Sequence, residues 1–267
     1  MTTYLDLFRY RELFGSLFRR DLRAKYKGSV LGLAWSLAHP VVLMLVYLLV
    51  FSVLLKIKTA DYEHYWLFLL AGLPIWVFFA TSLQAAARSF VDSAELVKKV
   101  RFPRQLVPFS VVATQLVTFA SMLAILIVLS LAFVPRARPY VALSIPLAAL
   151  FVGLVVGVAL LVASLNVLFR DVEHLLAAAL LPWFFLTPVL WRFADLPERV
   201  HRHHTLLELL RWGNFVGPPI YAVRDALWLG AAPRPADVIY LAVAAAASLA
   251  LGAFAFSRVD DRIAIEL

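Results

Sequence analysis

The residues best suited to chemistry are concentrated in one short stretch with two carboxylates and three histidines. They are Asp195, Glu198, His201, His203 and His204. Imidazole and carboxylate groups at short spacing bind zinc and act as general acids and bases. No carboxylate–histidine pattern falls on a predicted helix, however, and the stretch is polar, as is typical of a solvated loop. We therefore predict no catalytic residue and no metal site in this chain.

Nucleotide binding and thiol chemistry are excluded by residue type. No glycine is followed directly by lysine, so the phosphate-binding Gly-x-x-x-x-Gly-Lys-Ser/Thr loop is missing. The sequence has no cysteine, which excludes disulfides and cysteine metal sites. His39 is the only titratable side chain well inside a long apolar stretch, and we interpret it as a hydrogen-bonded packing residue.

Composition indicates that most of the chain consists of membrane-spanning helices. Of the 267 residues, 63% are hydrophobic and 16% are charged, whereas a soluble domain has about half and a quarter, respectively. The apolar residues form blocks without central charges, of the length that a bilayer-spanning helix requires. The sequence predicts six spans, at about Val30 to Leu55, Tyr65 to Ala87, Leu106 to Val134, Val141 to Phe169, Leu175 to Trp191 and Val238 to Phe256.

The central portions of these spans contain no Asp, Glu, Lys or Arg. Ion-coupled transporters generally build their ion sites from such intramembrane residues. If this chain transports a substrate actively, we expect the energy to come from a separate ATPase subunit that docks on the cytoplasmic face.

Polar segments divide the chain into its predicted parts. Residues 1–27 carry seven basic residues between apolar positions at helical spacing, which predicts an amphipathic helix at the membrane interface. Residues 28–267 form one six-helix membrane domain that includes a basic segment, 88–104. The stretch 192–237 contains only short apolar pieces and predicts short re-entrant or interfacial helices before the last span. The fold class is therefore an all-α integral membrane protein.

The distribution of Lys and Arg predicts the orientation of the spans. The N-terminal segment has seven basic residues and the loop after span two has five, against two in each of the short loops around Lys56 and Arg136. This places both termini in the cytoplasm and the 192–237 stretch outside.

Three stretches resemble the type-2 ABC exporter permeases for O-antigen, capsular polysaccharide and teichoic acid. Tyr26 to Pro40 is similar to the start of their first span, with His39 in place of the usual Asn. Glu95 to Arg104 resembles their Lys-Lys-x-x-Phe-Pro segment between spans two and three. Leu165 to His174, followed by Trp183, Thr187 and Pro188, resembles their Asn-x-x-x-Arg-Asp turn and aromatic fifth span. Asn214 and Arg224 fit less well, because Phe215 stands where the family has Pro.

The resemblance implies a permease that exports a lipid-linked, O-antigen-like polysaccharide across the bacterial inner membrane. It implies a homodimer with two copies of an ABC ATPase subunit, which would hold ATP and Mg, and no cofactor on this chain. The other expected contacts are membrane lipids and not nucleic acid. An ABC exporter of another lipid or drug is the alternative, followed by a membrane-bound glycan-modifying enzyme.

The resemblance also suggests which residues serve the transport cycle. The basic segment is expected to couple to the ATPase, where Pro103 should end or redirect a short helix and the cations could meet acidic groups of a partner. Ordinary positive-inside charge explains the same residues. The coupling residues are Arg88, Glu95, Lys98, Lys99, Arg101, Pro103 and Arg104, and the expected cytoplasmic turn consists of Asn166, Arg170 and Asp171.

Aromatic residues in spans one and five are candidates for the polysaccharide path, because aromatic faces can hold a sugar chain without gripping it. On helical geometry, Met44, Tyr47 and Phe51 share one face, as do Phe184, Pro188 and Trp191. For any single one of them, ordinary packing, or an interfacial belt for Trp191, is the stronger explanation. The candidates are Trp35, Met44, Tyr47, Phe51, Phe184 and Trp191. Gly153 and Gly157 are expected to permit close helix packing.

Overall fold

The computed structural model describes residues 9–27, 64–100, 102–193 and 202–266, with a few isolated positions before residue 51 and at 196. In this part of the chain all regular secondary structure is helical. In chain order the helices are α1 (Arg11–Tyr26), α2 (Tyr65–Asp92), α3 (Ala94–Lys99), α4 (Leu106–Phe133), α5 (Ser144–Leu168), α6 (Asp171–Leu186), α7 (His204–Trp212), α8 (Gly217–Arg224) and α9 (Pro235–Glu266).

Helices α2, α4, α5 and α9 are long and apolar enough to cross a membrane. A helix of 28 residues, such as α2, is about 42 Å long, which exceeds the roughly 30 Å of a hydrocarbon core. These helices confirm the second, third, fourth and sixth predicted spans. Most of the first predicted span lies outside the described residues, and so does His39.

The core is built around α2, which is the most buried of the four candidate spans. It packs against both α4 and α5. The largest helix–helix contact joins α5 to α9, where a Cβ at Gly157 would strike the backbone of Ser248 and one at Gly252 would strike Gly157. The close packing expected at Gly157 is confirmed, whereas Gly153 makes only ordinary contacts.

The boundaries predicted for the fifth span, Leu175 to Trp191, are wrong. The helix in this region, α6, begins four residues earlier and ends at Leu186 after 16 residues, which makes it about 24 Å long. Its end has a local cause, because the residue before a proline is driven out of the helical region. Thr187, which precedes Pro188, is extended at φ −85° and ψ 136°.

Two short helices, α7 and α8, follow α6 and are joined by a sharp turn at Asn214. The Asn214 carbonyl accepts a hydrogen bond from the Gly217 amide at 2.9 Å. A π-helical turn, Asp225–Leu229, extends α8 and ends at Gly230, whose φ of +64° is readily adopted only by glycine.

The N-terminal helix α1 runs beside the first turns of α4. The Ser110 hydroxyl donates to the Asp21 carboxylate at 2.6 Å, and the Lys25 ammonium donates to Gln115 at 2.7 Å. Leu17 is buried on the same contact side. The helix predicted for this segment is present, and α4 holds it through polar as well as apolar contacts.

Candidate functional sites

The predicted coupling segment contains the short helix α3, which is anchored by one side chain and exposes its charges. Val97 is 3% exposed and fixes α3 against the core. Glu95, Lys98 and Lys99 are exposed, and Lys99 pairs with Glu95 across one helical turn at 2.9 Å. A solvent-exposed pair of this kind contributes less than about 1 kcal/mol to stability. The fold therefore depends little on these charges, and they remain available for other contacts.

Polar contacts connect the coupling segment to three other helices. Arg20 of α1 donates to the Ser93 hydroxyl at 3.2 Å, at the joint between α2 and α3. Arg88, near the end of α2, pairs with Glu173 of α6 at 3.3 Å. Arg104 lies 3.4 Å from the Asp260 carboxylate of α9 and also donates to the Asp260 carbonyl.

A recess of about 410 Å³ opens between α3 and the end of α9. Its wall carries both charge signs, from Lys98, Lys99 and Arg104 on one side and Asp260 and Asp261 on the other. These two aspartates were not predicted from the sequence, because they lie more than 150 positions from the lysines they face. We name the surface formed by Arg88, α3, Arg104, Asp260 and Asp261 the charged face.

The remaining coupling residues have different positions. Helix α3 ends at Lys99, before Pro103 is reached, and Val100 is already extended. The Pro103 carbonyl accepts from the Leu106 amide at 3.1 Å, so this proline lies in the turn that leads into α4. Arg101 lies outside the described residues.

Asn166 is the best-connected residue of the predicted turn. It is 2% exposed, and its amide donates to the Ala87 carbonyl of α2 at 2.8 Å. Its side-chain oxygen accepts from the Glu173 amide at 2.9 Å, which caps the start of α6. Asn166 thus joins α2, α5 and α6, whereas Arg170 and Asp171 are exposed beside it.

Of the aromatic path candidates, Phe184 lies in a groove between α2 and α6. The groove holds about 360 Å³ and is lined mainly by apolar side chains, with Thr81 and Gln84 as its polar members. Phe184 is 6% exposed, and its ring centroid lies 5.5 Å from that of Trp76. It therefore forms part of the groove wall.

The other path candidates do not join Phe184 in the described part of the chain. Trp191 follows the end of α6, so the helical face predicted for it with Phe184 and Pro188 does not exist. Its indole instead donates to the Phe185 carbonyl at 3.0 Å. Trp35, Met44, Tyr47 and Phe51 lie outside the described residues.

Asn214 fixes the turn between α7 and α8 to the end of α6. Its side-chain oxygen accepts from the Trp183 indole at 3.1 Å, and its amide donates to the Thr187 hydroxyl at 2.9 Å. The Trp183 ring packs edge-on against Phe79 and Phe215. Because Phe79 lies halfway along α2, this turn reaches the middle level of the long helices.

Arg224, at the end of α8, is a buried cation that sequence reasoning did not select. It is 1% exposed, and its guanidinium donates to the carbonyls of Phe68, Pro188 and Val189. Gly72 makes room for it, since a Cβ at this position would lie 2.7 Å from Nη2. An arginine within a short apolar stretch could have indicated a buried cation. The sequence does not show, however, which carbonyls surround it.

The histidine-rich stretch is only partly described. His203 and His204 are exposed at the start of α7, while Asp195, Glu198 and His201 lie outside the described residues. Within the described ranges no group of three metal-ligating side chains comes together.

Comparison with known proteins gives the family. Residues 12–225 match the family model for ABC-2 type transporters. The chain is 34% identical over 197 residues to the O-antigen export system permease protein RfbA of Myxococcus xanthus, covering 74% of this chain and 75% of the relative. Two permease proteins of the same name from Klebsiella pneumoniae are each 29% identical over 191 residues, covering 70% of this chain and 72% of each relative.

The family match covers most of the chain and includes α2, α3 and α6, which line the groove and carry part of the charged face, whereas Asp260 and Asp261 of α9 lie beyond it. The four long apolar helices agree with a protein that crosses the membrane several times. This chain is therefore a multi-pass membrane protein that belongs to the ABC-2 type transporter family.

Proposed function

We propose that this chain is the permease subunit of an ATP-driven ABC exporter for a lipid-linked, O-antigen-like polysaccharide. The observation that carries the proposal is the 34% identity, over three quarters of both chains, to an O-antigen export permease. The sequence itself has no phosphate-binding loop, so hydrolysis of ATP, with its Mg, belongs to a partner subunit.

The proposed assembly is a homodimer with two ABC ATPase subunits in the bacterial inner membrane. Each chain has six spans, the first between α1 and α2 and the fifth built on α6, with α7 and α8 as a short re-entrant hairpin. Both termini are cytoplasmic. Support comes from the lengths of α2, α4, α5 and α9 and from the excess of basic residues in the segments that would face the cytoplasm.

The charged face is the proposed docking site for the ATPase. Helix α3 presents Glu95, Lys98 and Lys99 to solvent, and the basic side chains can meet acidic groups of a partner. A displacement of α3 would be transmitted to the rest of the molecule through the ion pairs of Arg88 with α6 and of Arg104 with α9. Helix α1 joins the same face through Arg20 and provides a second docking surface.

The groove between α2 and α6 is the proposed wall of the polysaccharide path. Phe184 and Trp76 offer rigid aromatic surface there, and Thr81 and Gln84 offer hydrogen-bonding groups. Aromatic faces suit a hydrated sugar chain because they stack on its apolar ring faces without fixing its position. Trp35, Met44, Tyr47 and Phe51 of the first span are the proposed complement.

Charge reversal on α3 tests the coupling assignment. We expect Lys98→Glu with Lys99→Glu and Arg101→Glu to weaken association with the ATPase subunit by at least tenfold, because attraction to acidic groups becomes repulsion. The measurement is copurification of the ATPase with the tagged chain, together with export of the polysaccharide in cells.

The matched control is Arg138→Glu, which reverses an exposed charge at the opposite end of the long helices. It should leave copurification unchanged. Intact copurification and normal export in the triple variant would remove the coupling role of α3, and export without any ATPase would refute the proposed function itself.

A further inference from the structure

One side of α1 carries a row of exposed cations. They are separated by four or eight positions, which places them along one ridge of a helix. Gly15 falls in the same row, and a Cβ at this position would meet nothing within 4 Å, so this side of α1 is open. We name the row, whose last member follows the end of the helix, the cationic row: Arg11, Arg19, Arg23 and Lys27.

The side chains of the cationic row make no hydrogen bond or ion pair with any described residue. The neighbouring Arg20, by contrast, pairs with Asp21 at 2.8 Å, and Asp21 also accepts from Ser110. Glu12 is the one exposed carboxylate of α1, so the open side of the helix is strongly positive. Surface cations are common, and it is the other side of α1 that indicates which partner these would meet.

The side of α1 opposite the cationic row is apolar and only partly covered by protein. Leu17 is buried, whereas Leu13, Phe14, Phe18 and Leu22 are half-buried. A helix with one apolar and one basic side is suited to a membrane interface, where the apolar side meets the acyl chains and the basic side meets the headgroups. Lipid can therefore cover the apolar surface that the protein leaves open.

The contact of α1 with α4 places it near the lipid headgroups. Helix α4 has 28 residues and is about 42 Å long, which matches the roughly 40–45 Å of a bilayer with its headgroups. Ser110, which binds Asp21 at 2.6 Å, is four residues from the start of α4 and thus about 6 Å along it. This depth corresponds to the headgroup region.

The end of α1 also lies where the chain is expected to enter the membrane. Lys27 comes three residues before Val30, where the first predicted span begins. Basic residues that immediately precede a span on its cytoplasmic side, or that line an amphipathic helix, attract anionic lipids. The cationic row has both properties, whereas Arg20 is turned toward Ser93 at the joint between α2 and α3.

We propose that the cationic row binds the headgroups of anionic phospholipids in the leaflet beside α1. That this is the cytoplasmic leaflet, and that a span follows Lys27, rest on the proposed function, whereas the row and its open side do not. Arginine pairs with phosphate oxygens through two parallel hydrogen bonds. Phosphatidylcholine has the same phosphate but carries a compensating ammonium, so the row distinguishes lipids by their net charge.

Titration of the full-length chain in nonionic detergent with phosphatidylglycerol tests this proposal. Because the sequence has no cysteine, Gly15→Cys can carry a single environment-sensitive fluorophore on the open side of α1. Phosphatidylglycerol should produce a saturable blue shift, and phosphatidylcholine with the same acyl chains should not. High salt should abolish the response, since it screens interactions between exposed charges.

Two double variants, made in the labelled chain, locate the binding site. Arg19→Gln with Arg23→Gln should weaken binding of phosphatidylglycerol about 25-fold, because each cation near an anionic surface contributes about a factor of five. Arg138→Gln with Arg202→Gln removes two exposed arginines elsewhere in the chain and is the matched control, whose affinity should equal that of labelled Gly15→Cys. Circular dichroism verifies that both variants keep their helix content.

Equal responses to the two lipids, or equal affinities of the two double variants for phosphatidylglycerol, would overturn the lipid site. If phosphatidylglycerol has no effect but Arg19→Gln with Arg23→Gln loses ATPase copurification, the cationic row belongs to the ATPase interface, which also overturns the proposal. Polysaccharide export and ATPase copurification from cells test the proposed function separately, because the lipid titration of the isolated chain involves neither.

Discussion

At the residue scale, the polar side chains with the clearest structural roles are those that join helices distant in sequence. Asn166 connects the end of α5 to both α2 and α6. Asn214 ties a turn to Trp183 and Thr187. In each case the side-chain amide both donates and accepts, so that it bonds groups of two different segments at once.

Replacing Asn166 with Ala should lower stability by about 1–3 kcal/mol, because the Glu173 amide and the Ala87 carbonyl both lose a buried partner. The measurement is the apparent Tm of the purified protein in detergent. Asn166→Asp keeps the acceptor for the Glu173 amide but sets a buried carboxylate against the Ala87 carbonyl, so it should also be less stable than the unmodified chain. A Tm of Asn166→Ala equal to that of the unmodified chain would contradict the assigned role.

Residue types could be predicted better than residue contacts. The resemblance of Leu165 to His174 to a known turn was enough to select Asn166. Its partner Ala87 is 79 positions away, and no local pattern indicates such a pair. Arg224 shows the same limit, since its acceptors lie 35, 36 and 156 positions away.

At the element scale, the long helices follow from apolar length, and their ends follow from local chemistry. Helix α6 ends at Leu186 because Pro188 forces Thr187 into an extended conformation. Hydrophobicity continues through Val189 and Leu190 to Trp191, which is why the apolar block predicted a helix that ends five residues too late. A proline alone does not set such a boundary, since Pro182 lies inside α6 and Pro74 inside α2.

The contact of α5 with α9 leads to a prediction about two glycines of one helix. Gly157→Ala should destabilise the protein by about 1–3 kcal/mol, because the new Cβ meets the backbone of Ser248, which cannot rotate away. Gly153→Ala is the control: its Cβ would lie 3.7 Å from the end of the Leu249 side chain, and alanine favours the helix. Thermal unfolding of both variants measures the difference.

The reverse order of stability, with Gly153→Ala the less stable variant, would place the closest approach of α5 and α9 elsewhere. An equal loss of stability in both variants would contradict the claim that Gly157, and not Gly153, lies at the close contact with α9.

At the scale of the whole molecule, charge is divided between two ends. One end holds the charged face, where exposed cations and acidic partners from α1, α3, α6 and α9 meet. The other holds a cavity lined by Arg192, Arg211, Arg224 and Arg234, and the first three of these lie against aromatic rings. Helices α2 and α9 run from one end to the other.

The absence of cysteine from the sequence permits a direct test of this two-ended arrangement. Lys98→Cys and Arg138→Cys each introduce one thiol at an exposed position. A membrane-impermeant maleimide applied to spheroplasts should label Arg138→Cys at once and Lys98→Cys only after permeabilisation. Labelling of both before permeabilisation, or of Lys98→Cys alone, would contradict the proposed orientation.

The sequence by itself determined the membrane class of this protein and four of its spans, because a bilayer excludes charge over a length that can be read from one dimension. It also determined the family resemblance, which local motifs carry. Only the tertiary structure decided that Asp260 faces the coupling lysines, that Asn166 joins three helices, and that four arginines between residues 192 and 234 surround one cavity. The physical reason is that these groups are brought together by the packing and termination of helices, which depend on contacts between residues far apart in the chain.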